Sequence, residues 1–311
     1  MSKQRIVPCL WLDDQAEQAA AFYTRIFPAG RITAVSRYPE SADNPGGKPR
    51  GSVMTIELEI AGLRMTALNG GPQFRIGPSI SVFAHAASPA EADRWFAALA
   101  DGGTVRMPLA AYPWSERYGW VQDRYGVSWQ VITGARPAGG ETLVPCLMFA
   151  GPQQGRAEEA IGLYTTIFPG GRIEQLDRYA AGEGPVGTIK HGRFVVDGQP
   201  LVAMDSHAPH DVTFTEALSL QVMCADQAEV DRYWAELSDG GEQGPCGWLK
   251  DRFGVSWQIV PAQIAAWLRC PDAAARDRAF AAVMTMRKLD IATIEAAFVA
   301  PGRDQPAVPG R

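Results

Sequence analysis

The pattern of apolar and polar positions predicts that the chain opens with a short strand followed by a helix. Residues 6–12 form an apolar run that ends at Asp13 and Asp14, as expected where a buried strand passes into the start of a helix. Over 16–27, apolar residues recur at steps of three and four, and Pro28 then ends the pattern. The first two elements are therefore predicted as β and then α.

Further strands and a second helix are predicted downstream. Apolar and polar residues alternate over 51–60, and Ala61-Gly62 then turns the chain into another apolar segment, which indicates a hairpin. The predicted elements that follow the first helix are strands over 31–38, 51–60, 63–68 and 79–84, a helix over 89–101, and a closing hairpin of 118–121 with 127–132.

The same order of elements returns in the second half of the chain. Residues 123–132 read DRYGVSWQVI, and residues 251–260 read DRFGVSWQIV, so seven of the first nine positions are identical at an offset of 128 residues. This period is far longer than the roughly 20–50 residues of solenoid repeats. The chain is therefore predicted to be a tandem duplication of a domain-sized unit.

The repeat predicts the domain organisation. We expect a first module over 1–134 and a second over 143–262, with a Gly- and Pro-rich linker between them. Residues 263–300 have helical periodicity without a counterpart in the first copy, and 301–311 are rich in Pro and Gly and are expected to be disordered. The helical extension is predicted to pack outside the paired modules or to serve a homodimer interface.

Composition and charge narrow the class of protein. The 311 residues are 46% hydrophobic and 20% charged, which is typical of a globular protein, and a net charge of −5 without a long basic run argues against nucleic-acid binding. No apolar run approaches the ~18–20 residues of a membrane span. Five cysteines without a CxxC pair indicate neither a disulfide framework nor a zinc site. These features predict a cytoplasmic protein.

These motifs carry a resemblance to a known family. Phe-Tyr on the first helix, Phe-Pro-Ala/Gly-Gly after it, and Asp-x-x-Gly-x-x-Trp-Gln in the last hairpin occur in both copies. The chain resembles the PhnB-like branch of the vicinal-oxygen-chelate superfamily, whose domain is also described as 3-demethylubiquinone-9 3-methyltransferase-like. The resemblance implies an α+β fold in which tandem βαβββ modules form curved mixed sheets, each a cup that holds a ligand or metal.

The resemblance also allows a test for a metal centre. The positions that hold metal ligands in metal-dependent members fall here on Pro8 and Pro145, near Ser81 and Ser219, and on Gln130 and Gln258. A divalent cation needs several anionic or imidazole donors, and these residues supply none. We therefore predict a cup without a metal and without any other cofactor.

Large aromatic residues and two glutamines are the candidate ligand-binding residues. They are Trp11, Tyr112, Trp114, Trp120 and Trp248, together with Gln130 and Gln258. Such residues either line an apolar cup that holds a flat organic ligand, with the amides orienting it, or simply fill the core. The segment 104–117 is longer than its counterpart in the second copy, and its aromatics are predicted to form a lid over one cup.

A few polar residues are candidates for catalysis or binding. His191 lies on a predicted strand, as either a structural histidine or a general base. Asp205 and its repeat-equivalent Asn69 end hairpin strands, where they either bind a ligand or cap a turn. His207 and His210 are expected in a solvated loop.

Glu57 and Glu59 share one face of a strand, and a solvent-facing surface is the favoured interpretation, because the second copy has Arg193 and Val195 at these positions.

The sequence therefore favours a protein that binds a small, partly apolar organic molecule in a metal-free cup, either to sequester it or as a cofactor-free enzyme. A metal-dependent dioxygenase or glyoxalase-type enzyme and a non-catalytic interaction protein with filled cups are the alternatives. A methyltransferase is disfavoured, because no strand is followed by the glycine-rich loop that usually holds S-adenosylmethionine.

Overall fold

The structure is a computed structural model that describes residues 4–41, 44–134, 136–137, 139–208 and 213–300. The tail predicted to be disordered, 301–311, and His210 lie outside the described residues. In the described part of the chain, no helix has the length and apolarity that a bilayer crossing requires.

Both copies fold as the repeated pattern predicts. The first copy contains β1 (Ile6–Leu12), α1 (Ala16–Ile26), β2 (Arg31–Arg37), β3 (Val53–Ile60), β4 (Leu63–Asn69), β5 (Ile80–Ala86), α2 (Pro89–Ala100), β6 (Thr104–Tyr112), β7 (Ser115–Gln122) and β8 (Ser128–Thr133). The second contains β9 (Leu143–Phe149), α3 (Ala157–Ile167), β10 (Arg172–Arg178), β11 (Ile189–Val196), β12 (Gln199–Asp205), β13 (Leu218–Cys224), α4 (Gln227–Ser238), β14 (Glu242–Gln243), β15 (Trp248–Lys250) and β16 (Ser256–Pro261). The extension contains α5 (Ile264–Leu268), α6 (Ala273–Met284) and α7 (Ile291–Val299).

The strands form two eight-stranded mixed sheets, and each sheet takes four strands from each copy. The first sheet has the order β14-β15-β16-β13-β1-β4-β3-β2, and the second has the order β10-β11-β12-β9-β5-β8-β7-β6. The copies meet where β1 pairs antiparallel with β13 and where β5 pairs antiparallel with β9. The two sequence copies are therefore interleaved in space, and neither cup belongs to one copy alone.

Helices α1 to α4 pack against the sheets and share one large hydrophobic core with them. Buried aromatic side chains of the helices and of the sheets meet there: Tyr23 of α1 packs against Trp129 of β8, and Tyr164 of α3 packs against Trp257 of β16. The outward faces of the helices carry the polar residues that the periodicity predicts. This arrangement leaves the opposite face of each sheet free to form a cup.

The repeated DRxGVSWQ motif builds a buried carboxylate centre in each copy. Asp123 accepts hydrogen bonds from the Tyr23 hydroxyl (2.9 Å) and the Trp129 indole (2.8 Å), and from the backbone N–H groups of Tyr125 (2.8 Å) and Val127 (3.1 Å). Burial raises the pKa of Asp123 to about 6.

Asp251 makes the same set of contacts in the second copy. The motif is thus explained by folding: it joins the helix layer to the last hairpin.

The C-terminal extension packs on the first sheet. Backbone N–H groups of Cys246 and Gly247 donate to the carbonyls of Met286 and Arg287, both at 2.7 Å. Apolar residues of α5 and α6 continue the wall of the first cup. The extension thus packs against the modules, as one of the two predicted roles has it, and it also covers a cup that the short β14–β15 hairpin leaves open; its role in a homodimer interface stays a prediction.

Candidate functional site

The cup of the first sheet contains a cavity of about 440 Å³, and we call it the open cup. Strands of both copies form its wall, and residues of α5 and α6, among them Leu268, Phe280 and Met284, complete it. Most of the wall is apolar, with a few polar groups in fixed positions. A cavity of this size and lining is typical of a small-molecule site.

A polar ladder crosses the floor of the open cup. The Thr66 hydroxyl donates to Gln221 Oε1 (2.8 Å), Gln221 Nε2 donates to Gln258 Oε1 (3.1 Å), and Gln258 Nε2 donates to the Ser219 hydroxyl (2.8 Å). Each amide has two N–H groups and uses one of them in the ladder. One N–H of Gln221 therefore remains available to a ligand, whereas the Gln258 amide also contacts the Cys9 thiol.

The first strand contributes a thiol to this floor. Residues Val7, Cys9 and Trp11 line the cavity, so the alternation of the strand places Cys9, and not Pro8, on the cup side. Burial raises the pKa of Cys9 to about 11, although contacts with Gln258 and Ser219 oppose the shift. The thiol therefore stays protonated at neutral pH.

The residues at the superfamily's metal position do not fit a divalent cation. The donors that the open cup offers there are the protonated thiol of Cys9, the hydroxyl of Ser219 and the amide of Gln258. Hard and borderline cations need carboxylate, imidazole or thiolate ligands. Nowhere in the described part of the chain do three or more His, Cys, Asp or Glu side chains gather as a ligand set.

Aromatic rings close one end of the open cup. The Trp11 ring lies 4.9 Å from Phe74 and 5.7 Å from Trp248, measured between ring centroids, and both pairs are edge-to-face. The Trp11 indole N–H donates to the Gly71 carbonyl (2.8 Å). Gly70 allows this packing, because a Cβ there would lie only 2.3 Å from the Trp11 ring.

The cup of the second sheet is filled by side chains, and we call it the filled cup. Its interior is an apolar cluster of Phe83, Tyr118, Val144, Cys146 and Val202, with Met107, Tyr112, Trp120, Ile132 and Met204 packed against it. The Tyr118 hydroxyl donates to Gln130 Oε1 (2.7 Å), and Gln130 Nε2 donates to Ser81 (2.9 Å). The hydrogen bond between glutamine and serine is thus preserved, but the amide oxygen of Gln130 is occupied by the Tyr118 hydroxyl.

Single replacements between the copies account for the difference. Gln221 in the open cup corresponds to Phe83 in the filled cup, and Thr55 corresponds to His191, by the strand registers. Phe83 and His191 are in edge-to-face contact at 5.7 Å. These larger rings occupy the space that is empty in the open cup.

The predicted lid lies over the filled cup. Tyr112 stacks on Trp114 at 5.1 Å and meets Tyr118 edge-to-face at 5.6 Å. Residues 104–112 belong to the segment 104–117 that is predicted as an insertion, and they form strand β6, which pairs with β7. Trp114 is 54% exposed and lines an open surface depression together with Pro89 and Thr133, whereas Tyr112 packs against the apolar cluster of the filled cup.

The two candidate catalytic residues do not lie at the cavity. His191 belongs to the filled cup, where burial lowers its pKa and favours the neutral ring. Asp205 accepts hydrogen bonds from the backbone of Gly155 (2.8 Å), Ala157 (3.2 Å) and Ile189 (2.8 Å), so it fixes the start of α3. This placement revises the predicted catalytic pair, because neither side chain can contact a ligand in the open cup.

Asn69 has the same role in the first copy. Its Oδ1 accepts from the backbone N–H of Ala16 (2.8 Å), and its Nδ2 donates to Glu17 (2.9 Å) and to the Val53 carbonyl (3.0 Å). Asn69 is therefore a capping residue, not a ligand-binding residue. Of the predicted ligand-binding residues, the open cup brings together Trp11, Trp248 and Gln258, and the filled cup holds Tyr112, Trp120 and Gln130.

Several residues of the open cup are not among those that the sequence predicts. Gln221, Thr66, Thr55 and Ser256 line the cavity, and the helical extension contributes Phe280 and its neighbours. A comparison of the two copies could have identified them in the sequence, because a polar residue in one copy, such as Gln221, stands where the other copy has a large ring, such as Phe83. Glu57 also lines the cavity, and its Oε1 lies 3.6 Å from Nη1 of Arg269 in the extension. The strand face that carries Glu57 is therefore not simply exposed to solvent.

Comparisons with known proteins agree with this architecture. The family model described as 3-demethylubiquinone-9 3-methyltransferase matches residues 4–132 and again 141–260. A solved structure described as a putative 3-demethylubiquinone-9 3-methyltransferase, PhnB protein, from Bacillus cereus is 33% identical over 42% of this chain and 100% of its own length, with a TM-score of 0.39. A protein from Pseudomonas aeruginosa is 29% identical over 42% of this chain and 98% of its own, with a TM-score of 0.36.

A longer match links the fold to glyoxalase I. Glyoxalase I from Zea mays is 14% identical and covers 82% of this chain and 91% of its own, with a TM-score of 0.51. At this identity the match shows a shared fold and nothing about activity. No curated protein matches the chain significantly. The two matches of the family model span most of the sequence, and the chain therefore belongs to the PhnB-like family described as 3-demethylubiquinone-9 3-methyltransferase.

Proposed function

We propose that this protein binds one small, partly apolar organic molecule per chain, in the open cup, without a metal. The observation that carries the proposal is the contrast between the cups: a cavity of about 440 Å³ in one and packed side chains in the other. Buried apolar surface supplies the affinity, and the second amide N–H of Gln221 orients the ligand.

The chemistry at the cavity favours binding over acid–base catalysis. Among the described residues that line it there is no histidine, and the Cys9 thiol is held protonated by burial. Glu216 is paired with Lys250 (2.9 Å). The function of the open cup is therefore to hold a ligand away from water, which suits a sequestering or carrier protein.

The methyl transfer in the family's description is not part of the proposal. Methyltransferases usually hold S-adenosylmethionine on a glycine-rich loop after a strand of a doubly wound sheet. Here β1 leads into α1 through Asp13, Asp14 and Gln15, and the sheets are curved and mixed. Adding S-adenosylmethionine to the ligand screen tests that description directly.

A ligand screen with a filled variant tests the proposal. Native mass spectrometry of the purified protein and a thermal-shift screen of small aromatic and aliphatic metabolites are compared for the wild type and for Gln221→Phe with Thr55→His. This variant places the side chains of the filled cup into the open cup. We expect saturable binding at one site in the wild type and at least about a hundredfold weaker binding in the variant, because the occupied volume excludes the ligand.

Phe83→Leu in the filled cup is the matched control and leaves binding unchanged. Equal binding to the wild type and to the filled variant would refute the open cup as the site. A wild type that binds nothing in a broad screen would also count against the proposal.

A further inference from the structure

One buried hydroxyl in the open cup has lost the partner that its counterpart keeps. In the filled cup, the Trp120 indole N–H donates to the Ser128 hydroxyl at 2.7 Å. Trp248 and Ser256 occupy the same positions in the open cup, yet no hydrogen bond joins them. Ser256 is only 1% exposed, and its hydroxyl has no hydrogen-bond partner among the described residues.

The Ser256 side chain belongs to the cavity wall. Ser256, Gln258 and Val260 alternate along β16, and all three line the cavity. A buried hydroxyl without a hydrogen-bond partner loses its hydration without a compensating hydrogen bond, which destabilises the folded state. The filled cup shows that the fold can satisfy this hydroxyl from within, so its unpaired state is specific to the cup that is open.

Contact with Trp11 explains why the Trp248 indole does not bond to Ser256 as Trp120 bonds to Ser128. Trp248 meets the Trp11 ring edge-to-face at 5.7 Å and 75°. In the filled cup the position of Trp11 is held by Met148, as the strand registers show, and Trp120 bonds to Ser128. Trp11 and Trp248 thus present aromatic surface beside an unpaired hydroxyl.

We propose that Ser256 and Trp248 form a subsite that recognises an oxygen substituent on a flat aromatic ring. This inference rests on the proposed function of the open cup. A hydroxyl or carbonyl oxygen accepts hydrogen bonds from the Trp248 indole and from the Ser256 hydroxyl, and a ligand hydroxyl can instead donate to Ser256. The ring itself packs against Trp11 and Trp248, which leaves the polar ladder for a second substituent.

Three matched probes test the subsite: naphthalene, 2-naphthol and 1,4-naphthoquinone. Their dissociation constants are measured by ligand-observed NMR with the full-length protein. We expect the wild type to bind at least one of the oxygenated probes about three- to tenfold more tightly than naphthalene, the factor that one neutral hydrogen bond gives. The naphthol and naphthoquinone arms separate a hydroxyl ligand from a carbonyl ligand.

Ser256→Ala is expected to abolish this preference while naphthalene binds as before. Ser128→Ala, the equivalent change in the filled cup, leaves the preference intact. If the wild type binds all three probes equally, or if Ser256→Ala keeps the preference, the subsite is refuted while the open cup stands. If none of the probes binds at all, the proposed function and the subsite both fail.

Discussion

The open and filled cups are the same fold with opposite interiors, and a few side chains decide which interior forms. Both keep a cysteine on the first strand and a glutamine–serine pair on the floor. The filled cup has Phe83 and His191 where the open cup has Gln221 and Thr55. Duplication therefore leaves one cup to stabilise the chain by packing while the other keeps a cavity.

The two cups also differ in what covers them. A long β6–β7 hairpin with Tyr112 and Trp114 lies over the filled cup, whereas the β14–β15 hairpin is short and helices α5 and α6 take its place. A hairpin of the same sheet is part of its hydrogen-bonded ladder. The helices are held instead by side-chain packing and a few backbone contacts.

The largest expected effect comes from exchanging residues between the cups. Phe83→Gln with His191→Thr is expected to lower the free energy of unfolding by on the order of 4 kcal/mol, because it removes a buried ring and buries an amide. The reverse exchange, Gln221→Phe with Thr55→His, fills empty space and costs about 1 kcal/mol or less. Urea denaturation followed by circular dichroism measures both. Equal losses in the two variants would contradict the assignment of one cup as filled.

The buried carboxylates sharpen the comparison, because there the two copies are alike. Asp123→Ala and Asp251→Ala are each expected to cost about 3 kcal/mol, since each leaves a buried tyrosine hydroxyl and a tryptophan N–H without an acceptor. Asp101→Ala, at the exposed ion pair with Arg124, is the control and changes little. Urea denaturation should give values for the two aspartates that agree within about 1 kcal/mol. A large effect at one site only would show that the halves are not equivalent there.

A pH dependence is expected from the filled cup. Burial is the main cause that lowers the pKa of His85 from 6.5 to about 4, and the nearby guanidinium groups of Arg136 and Arg193 and the neighbouring His191 oppose a further positive charge there. Because the folded state favours the neutral ring, this stability is fully present above pH 6.5 and is lost as the pH falls towards 4.

His85→Met, which introduces the residue of the open cup at Met223, removes this loss. Relative to the variant, the wild type should lose about 2–3 kcal/mol between pH 7 and pH 4 in urea denaturation. Parallel stability curves for the two proteins would contradict the expected shift.

The smallest effect is expected at the ion pair that joins the extension to the open cup. Arg269→Met removes the contact with Glu57, whose shortest N–O distance is 3.6 Å, and both side chains are partly exposed. Such pairs contribute about 0–1 kcal/mol, so unfolding by urea should hardly change. Leu268→Ala, in the apolar contact beside it, should cost more, because packing holds the helices. An equal or larger effect of Arg269→Met would show that charge holds the cover.

The sequence predicted the local structure well because local structure is encoded locally. Strand alternation over 51–60 and the helix ended by Pro28 both depend on neighbouring residues. The sequence alone does not decide the capping role of Asn69, because the backbone groups that it bonds belong to Ala16 and Val53, far away in the chain.

The repeat, the α+β class and the family were thus determined by the sequence alone, because motif identity and periodicity are properties of short segments. Which cup is open was decided by the tertiary structure. That choice depends on how β1 meets β13 and β5 meets β9, on the summed volume of side chains brought together from both copies, and on where the extension docks. These quantities join residues more than about 200 positions apart, such as Ile6 and Val222, and no local pattern contains them.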